Sequence, residues 1–503
     1  MSESQSSTAP LNVVFVASEA VPLAKTGGLA DVCGVLPRQL AEQGHKCTLF
    51  LPGYRRALLS GLPLEVTDFG FTIPMGGRHV ACRLMRTQLP GSQVEVILVD
   101  QPQYFDREFL YGDAQGDYRD NCERFAFFCR AVVHAIELMN LQPDVVHCHD
   151  WQTGLVPAYM ATGTGDYAWM QRAASIMTVH NLAYQGRFWH YDMVHTGLDW
   201  QYFNWKQMEF YGDLCFLKTG LVFSDAVTTV SPTYAAEIRT PEHGCALDGV
   251  LRDRGDTLVG IANGVDYEVW NPSTDRMLPT SYDVNNWRIG KRDCKQQLRA
   301  ELGLASSDTV LVGIVSRLAA QKGWDLILPL MQHFLQAGRP VQWVVLGTGE
   351  EPIEKELTRL SDAYSSQLAV RLEFSESLAH RIEAASDIFL MPSRYEPCGL
   401  NQLYSLRYGT VPVVHATGGL VDTVTDASPA NLAEGNATGF AFQGYRLDEL
   451  ENTLGRAIEI CRTEPTLWAK LVENGMRQDW SWQRSATQYA HLYERTVAHK
   501  RSE

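Results

Sequence analysis

At 503 residues the chain has room for two or three domains, each large enough to bury a full core. Its 43 Lys and Arg stand against 58 Asp and Glu, a formal charge of −15. With no basic block to offset that charge, nucleic acid and anionic membranes are poor partners. No apolar run nears the ~20 residues of a spanning helix, and eleven cysteines without a CxxC pair fit reduced thiols in a cytoplasmic protein.

The opening stretch, residues 1–11, carries Ser, Thr and Gln without a cationic start or an apolar core, which predicts a disordered leader rather than a signal peptide. Strand-like apolar runs then alternate with helical patterns. The first half offers Val13–Ala17, Cys47–Leu51, Val94–Val99, Val145–His147, Ile176–Val179 and Ala226–Val230. A polar stretch from Asn271 to Asn286 reads as a crossover. Beyond it come Val310–Val315, Val341–Leu346, Leu368–Phe374, Ile388–Met391 and Val411–Val414. This alternation predicts an α/β fold with two doubly wound, Rossmann-like domains, over 12–268 and 269–479. A final helical segment, 480–503, has no strand of its own and is expected to cross back to the first domain.

Thr26-Gly27-Gly28-Leu29-Ala30-Asp31 recurs as Thr417-Gly418-Gly419-Leu420-Val421-Asp422, each time after an apolar strand and at the start of a helical pattern. Paired glycines let the backbone approach a ligand, and free N–H groups at a helix start favour phosphate. Two such loops in opposite halves suggest twin domains closing on a phosphorylated ligand. Other polar clusters also follow strands, where open α/β sheets bind ligands. They are Glu19 with Lys25, His147-Cys148-His149-Asp150-Trp151, His180-Asn181 and Asn263-Gly264 in the first half. The second half adds Arg317 with Lys322, and Glu396-Pro397-Cys398-Gly399-Leu400.

Arg317 and Lys322 share one strand-to-helix loop and suit a diphosphate, the guanidinium as a bidentate fork and the ammonium as a point charge; the alternative is a solvated basic loop. Glu396 either meets sugar hydroxyls and developing positive charge or caps the helix that begins near Gln402. Cys398, near that helix start, is expected to have a lowered pKa and a reactive thiol. His147 and His149 share a strand face as metal ligands would, but no carboxylate cluster supports them, so no metal is expected. Trp151 either stacks on a sugar or fills core.

With these motifs assembled, the chain resembles the bacterial glycogen synthase and plant starch synthase family, retaining glycosyltransferases of GT-B fold. The resemblance runs from about Asn12 to Trp482. It implies a two-domain GT-B enzyme with a central cleft, a starch synthase catalytic domain on the acceptor side and a nucleotide-sugar domain after it. Such an enzyme moves glucose from ADP-glucose to the non-reducing end of an α-1,4-glucan such as glycogen, with retention of configuration. It further implies that Glu396, Arg317, Lys322 and His180 are catalytic. Lys25, Gly27, Gly28, Asp31, Asn263, Phe374, Cys398, Gly399, Leu400, Thr417, Gly418 and Gly419 would contact the donor, and Glu19, Asp150 and Trp151 the acceptor. ADP-glucose is then a substrate, and neither cofactor nor metal is called for.

Three positions depart from the family pattern. Phe374 stands where Tyr usually meets adenine, His415 where Arg often precedes the second glycine loop, and Asn401 at a variable site. The competing readings are a GT-B transferase using a UDP- or GDP-sugar on another acceptor, and a non-catalytic glucan-binding protein. A nicotinamide dehydrogenase is excluded by the lack of a GxGxxG loop with its acidic partner. No feature assigns an oligomeric state.

Overall fold

The computed structural model describes residues 10–113 and 115–502; the expected leader falls, for residues 1–9, outside them. The chain divides into two compact units. The first takes in the chain up to Val230, Ala235–Ile261 and everything from Trp482 on, and the second Ser231–Tyr234 and Ala262–Ser481.

The first unit is built on a nine-stranded sheet. Its strands are β1 (Asn12–Val16), β2 (Lys46–Pro52), β3 (Glu65–Met75), β4 (Arg78–Gln88), β5 (Glu95–Asp100), β6 (Val145–His149), β7 (Ala174–Val179), β8 (Ala226–Thr229) and β9 (Leu258–Gly260). Their order is β9-β8-β7-β6-β1-β2-β5-β4-β3. The runs Val13–Val16, Val145–His149 and Ala174–Val179 are buried on both faces, as parallel strands covered by helices must be. Helix α1 (Gly28–Glu42) turns Leu29, Val32, Cys33, Leu36 and Leu40 inward.

The hairpin β3–β4 is antiparallel and absent from the sequence reading. Its strands alternate exposed residues with half-buried or buried ones, so no apolar run marks them. The available signal was Gly76-Gly77, whose φ values of 54° and 88° suit a two-residue hairpin turn. Strand β9, only three residues long, is too short to leave a pattern.

The second unit holds six parallel strands. They are β10 (Val310–Val315), β11 (Val341–Leu346), β12 (Leu368–Arg371), β13 (Ile388–Met391), β14 (Val411–His415) and β15 (Phe440–Phe442). Their order is β12-β11-β10-β13-β14-β15. Trp324, Leu330, Trp343 and Ile382 anchor its core.

The division between the units falls at Ile261/Ala262 rather than after residue 268, for a visible reason. Val265 donates to the Trp480 carbonyl, and the Trp270 indole lies flat between His380 and Tyr404 at 3.7 and 3.8 Å. Asp275 accepts from the Tyr408 hydroxyl at 2.7 Å and lies 2.7 Å from His380 Nδ1. The expected crossover is therefore moored to the second unit. The last helix, α2 (Trp482–Lys500), belongs to the first unit, where the Tyr493 hydroxyl meets His147 Nδ1 at 2.7 Å.

In each sheet the strand order reverses beside the first strand of the unit. Crossovers run from β1 to β2 on one side and reach β6 on the other, and β10 is likewise flanked by β11 and β13. Loops leaving such a switch point diverge and leave a crevice at the carboxyl ends. Glu19, Lys25, Asp150, Arg317, Lys322 and Glu396 lie on these loops, whereas His180, Asn263, Phe374 and the loop 417–419 follow β7, β9, β12 and β14.

Candidate active site

In the first unit, Glu19 follows β1 and is almost fully buried. Its carboxylate accepts from the N–H groups of Thr26 and Gly27, from the Thr26 hydroxyl at 2.6 Å and from the Tyr111 hydroxyl at 2.7 Å. This carboxylate is engaged in shaping the first glycine loop. Gly27 is extended and opens α1 with no side-chain cap. The space a Cβ would occupy on Gly27 is open, which leaves room for a ligand against the first-turn N–H groups. Lys25 and Asp31 pair at 2.7 Å across this loop.

Asp150 follows β6 with φ 56° and ψ −178°, a conformation costly for a residue with a Cβ. Its Oδ1 accepts the His180 backbone N–H at 2.7 Å. Burial raises its pKa to about 7 in spite of backbone N–H groups from His180 and Asn181. His180 itself is pushed down to about 3 by burial, so it is neutral near pH 7.

Trp151 packs into the core of the first unit. It is 8% exposed, lies edge-on to Phe125 at 4.9 Å, and a Cβ on Gly186 would fall 2.4 Å from its ring. His147 is a satisfied core histidine, within 2.7 Å of the Tyr493 hydroxyl and 2.6 Å of the Thr178 hydroxyl. Among the described residues no group of three or more His, Cys, Asp and Glu is placed to hold a metal ion.

In the second unit, the loop after β10 carries Arg317 and Lys322, and Gly323 then opens a helix over Trp324–Gln336. Gly323 has φ 81°, and a Cβ there would lie 2.2 Å from the Pro392 carbonyl oxygen. Only glycine lets this loop touch the one after β13. The contact brings the Lys322 ammonium 2.6 Å from Glu396 Oε2, which also accepts the Ser393 hydroxyl at 2.8 Å. Arg317 is exposed, and its Nη2 donates to Gln321 Oε1 at 3.2 Å. The capping alternative for Glu396 fails, because the helix Asn401–Tyr408 begins at Leu400 without any side-chain cap.

The second glycine loop packs against the same segment. Gly419 donates its N–H to the carbonyls of Glu396 and Pro397 at 3.0 and 3.2 Å. A Cβ on Gly418 would fall 2.0 Å from the Glu396 carbonyl oxygen, and one on Gly419 2.2 Å from that of Cys398. These glycines are thus required by backbone contact within the protein. Thr417 is buried at the head of the loop. Gly399 adopts φ 70° and carries the chain to Leu400.

The reactive-thiol expectation for Cys398 is overturned. The side chain is buried, and burial together with Glu396 and Asp422 pushes the thiol up to about 12, although the Asn263 backbone N–H partly offsets this. The short helix after it cannot compensate for lost solvation. Asn263 keeps its Oδ1 buried with no protein partner. His415, standing before the glycine loop, lies 2.8 Å from the Ser393 carbonyl and 3.2 Å from that of Gln443, and so steadies Ser393 from behind. Asn401 donates to the Val315 carbonyl. Phe374, beyond β12, is 85% exposed, a flat apolar ring held out to solvent.

The supporting contacts of Tyr111, Tyr493 and Ser393 were not foreseen. The two tyrosines are remote in sequence from what they hold, and no local pattern announces them.

Both units thus carry a glycine-rich loop beyond the carboxyl end of a parallel strand in a doubly wound sheet, the arrangement of a GT-B glycosyltransferase. The starch synthase catalytic domain model matches residues 12–253 and the glycosyl transferases group 1 model residues 295–475. A glycogen synthase of Rhodopirellula baltica is 49% identical, over 97% of this chain and 98% of its own. One from Koribacter versatilis is 44% identical, over 96% and 98%. Among solved structures, the catalytic domain of starch synthase IV from Arabidopsis thaliana, bound to ADP and acarbose, superposes with a TM-score of 0.89 at 34% identity, covering 97% of this chain and all of that one. The sucrose-phosphate synthase of Thermosynechococcus elongatus shares the fold, with a TM-score of 0.59 at 17% identity over 97% of this chain and 99% of its own. The chain belongs to the glycogen synthase family.

Proposed function

We propose that this glycosyltransferase transfers glucose from ADP-glucose to the non-reducing end of an α-1,4-glucan such as glycogen, with retention and without metal or cofactor, in the cytoplasm. The observation that carries the reading is the Lys322–Glu396 pair at 2.6 Å, held between the loops after β10 and β13 and backed by the Thr417–Gly419 loop. A structural relative that binds ADP supports the adenine nucleotide.

In this reading a donor diphosphate draws the Lys322 ammonium toward itself. Lys322 and Arg317 then neutralise the charge that gathers on the leaving phosphate as the glycosidic bond breaks. Glu396, relieved of its counter-charge, faces the positive charge developing on the sugar. Phe374 offers its exposed ring to the adenine, and Asn263 its unpartnered Oδ1 to a donor hydroxyl. In the first unit Lys25, Gly27 and Gly28 receive phosphate, and His180 and Asp31 meet the donor sugar. Asp150 remains an acceptor-side residue acting through the backbone it holds.

The test is purified protein with glycogen and either ADP-glucose or UDP-glucose, following nucleotide release and chain extension. ADP-glucose supporting faster elongation is the expected result. Preference for UDP-glucose, or release without elongation, would refute the proposal.

A further inference from the structure

His149, the last residue of β6, is fully buried. It lies nearly parallel to the Phe15 ring at 6.1 Å and 4.1 Å from the His147 ring centroid. Its Nδ1 is 3.0 Å from His180 Nε2. Its Nε2 is buried and has no protein partner. His147 does not complete the set, because both of its nitrogens are engaged elsewhere. His180 is only half-buried, and its Nδ1 is the nitrogen left for a ligand.

Burial lowers the pKa of His147 and His180 to about 3 and that of His149 well below the ordinary value. Each ring therefore carries one proton near pH 7. A 3.0 Å contact between two ring nitrogens needs one proton between them, which leaves two arrangements. If His180 donated from Nε2, the His149 proton would sit on Nε2, an N–H buried without an acceptor. If His149 donates from Nδ1, its Nε2 is a bare lone pair. Orphaned buried N–H groups are the rarer and costlier of the two. The near-parallel Phe15 ring presents no face for an N–H to point at. The second arrangement leaves the His180 proton on Nδ1.

We infer that His149 is a positioning residue that fixes the tautomer of His180, so that His180 meets its ligand as an Nδ1–H hydrogen-bond donor. The inference rests on the reading that His180 faces the donor sugar. It adds which nitrogen acts, in which role, and what decides it. Asp150 fixes the His180 backbone through its N–H, so backbone placement and proton placement are set by consecutive residues.

The test is long-range ¹H–¹⁵N correlation of the ¹⁵N-histidine-labelled protein, with His180 assigned by a His180→Gln variant. Wild type should show His180 protonated at Nδ1 and bare at Nε2, and His149→Leu should release that bias toward Nε2–H. In turnover assays His149→Leu should lose ~10–100-fold in kcat, the scale for removing a partner that orients a functional histidine, with donor KM moving less. His149→Asn, whose amide nitrogen reaches the place of Nδ1, should recover most of the loss. His180 protonated at Nε2 in wild type, or an unchanged His180 tautomer in His149→Leu, overturns the inference. If His149→Leu does not fold, the wild-type spectrum decides alone. A fully active His180→Ala would instead sink the donor-facing reading and leave the tautomer assignment standing.

Discussion

Removing the Lys322 ammonium tests the second unit most sharply, because two consequences can be separated. Lys322 and Glu396 side chains are 17% and 7% exposed and 2.6 Å apart. Breaking a buried pair from one side costs ~3–5 kcal/mol because the other charge is left uncompensated. Glu396 keeps the Ser393 hydroxyl on the same oxygen, so Lys322→Ala should sit at the low end, about 3 kcal/mol. Turnover should also fall, by ~10²–10³ in kcat, the scale for losing one donor that stabilises the transition state. Adding Glu396→Gln to Lys322→Ala should restore most of the stability, since a neutral amide tolerates the site, and none of the activity. Urea unfolding read by tryptophan fluorescence, and ADP release in the presence of glycogen, measure the two effects. Undiminished stability in Lys322→Ala would refute the buried-pair argument. A raised donor KM with intact kcat would refute the leaving-group role.

Gly418→Ala should destabilise by more than ~2 kcal/mol and abolish turnover, since φ is 48° and the new Cβ would lie 2.0 Å from the Glu396 carbonyl oxygen; a melting curve and activity like wild type would contradict this. Burial raises Glu383 from an ordinary 4.5 to about 8. The folded state then binds more protons than the unfolded between those values, and stability should fall as pH rises through that window. Glu383→Gln should flatten the fall, and melting temperatures of both proteins across pH 4.5–8 check it. Brief alkylation near pH 8 should label exposed Cys245 well before Cys398, whose thiol is pushed up to about 12; peptide mapping that finds Cys398 labelled first would count against its burial. Activity should persist in EDTA, because Lys322 and Arg317 supply the positive charge, and a loss restored only by Mg²⁺ would overturn that account.

Short-range pattern accounts for everything legible in the chain before folding. Runs such as Val13–Val16 and Val341–Leu346 announce buried parallel strands, and the paired glycines after β14 announce a close backbone approach whether or not the partner is known. The hairpin β3–β4 escaped because a half-exposed antiparallel pair has no continuous apolar run. The tertiary structure alone decided how the candidate residues are used, because burial and partners come from segments far apart in the chain. Glu19 organises the first glycine loop because Tyr111 and the Thr26 N–H converge on it. Trp151 packs against Phe125 and Gly186. Cys398 became an inert thiol because desolvation outweighs a short helix start. The union of Lys322 with Glu396 likewise follows from a strand order that sets β10 beside β13, with a glycine where the two loops touch.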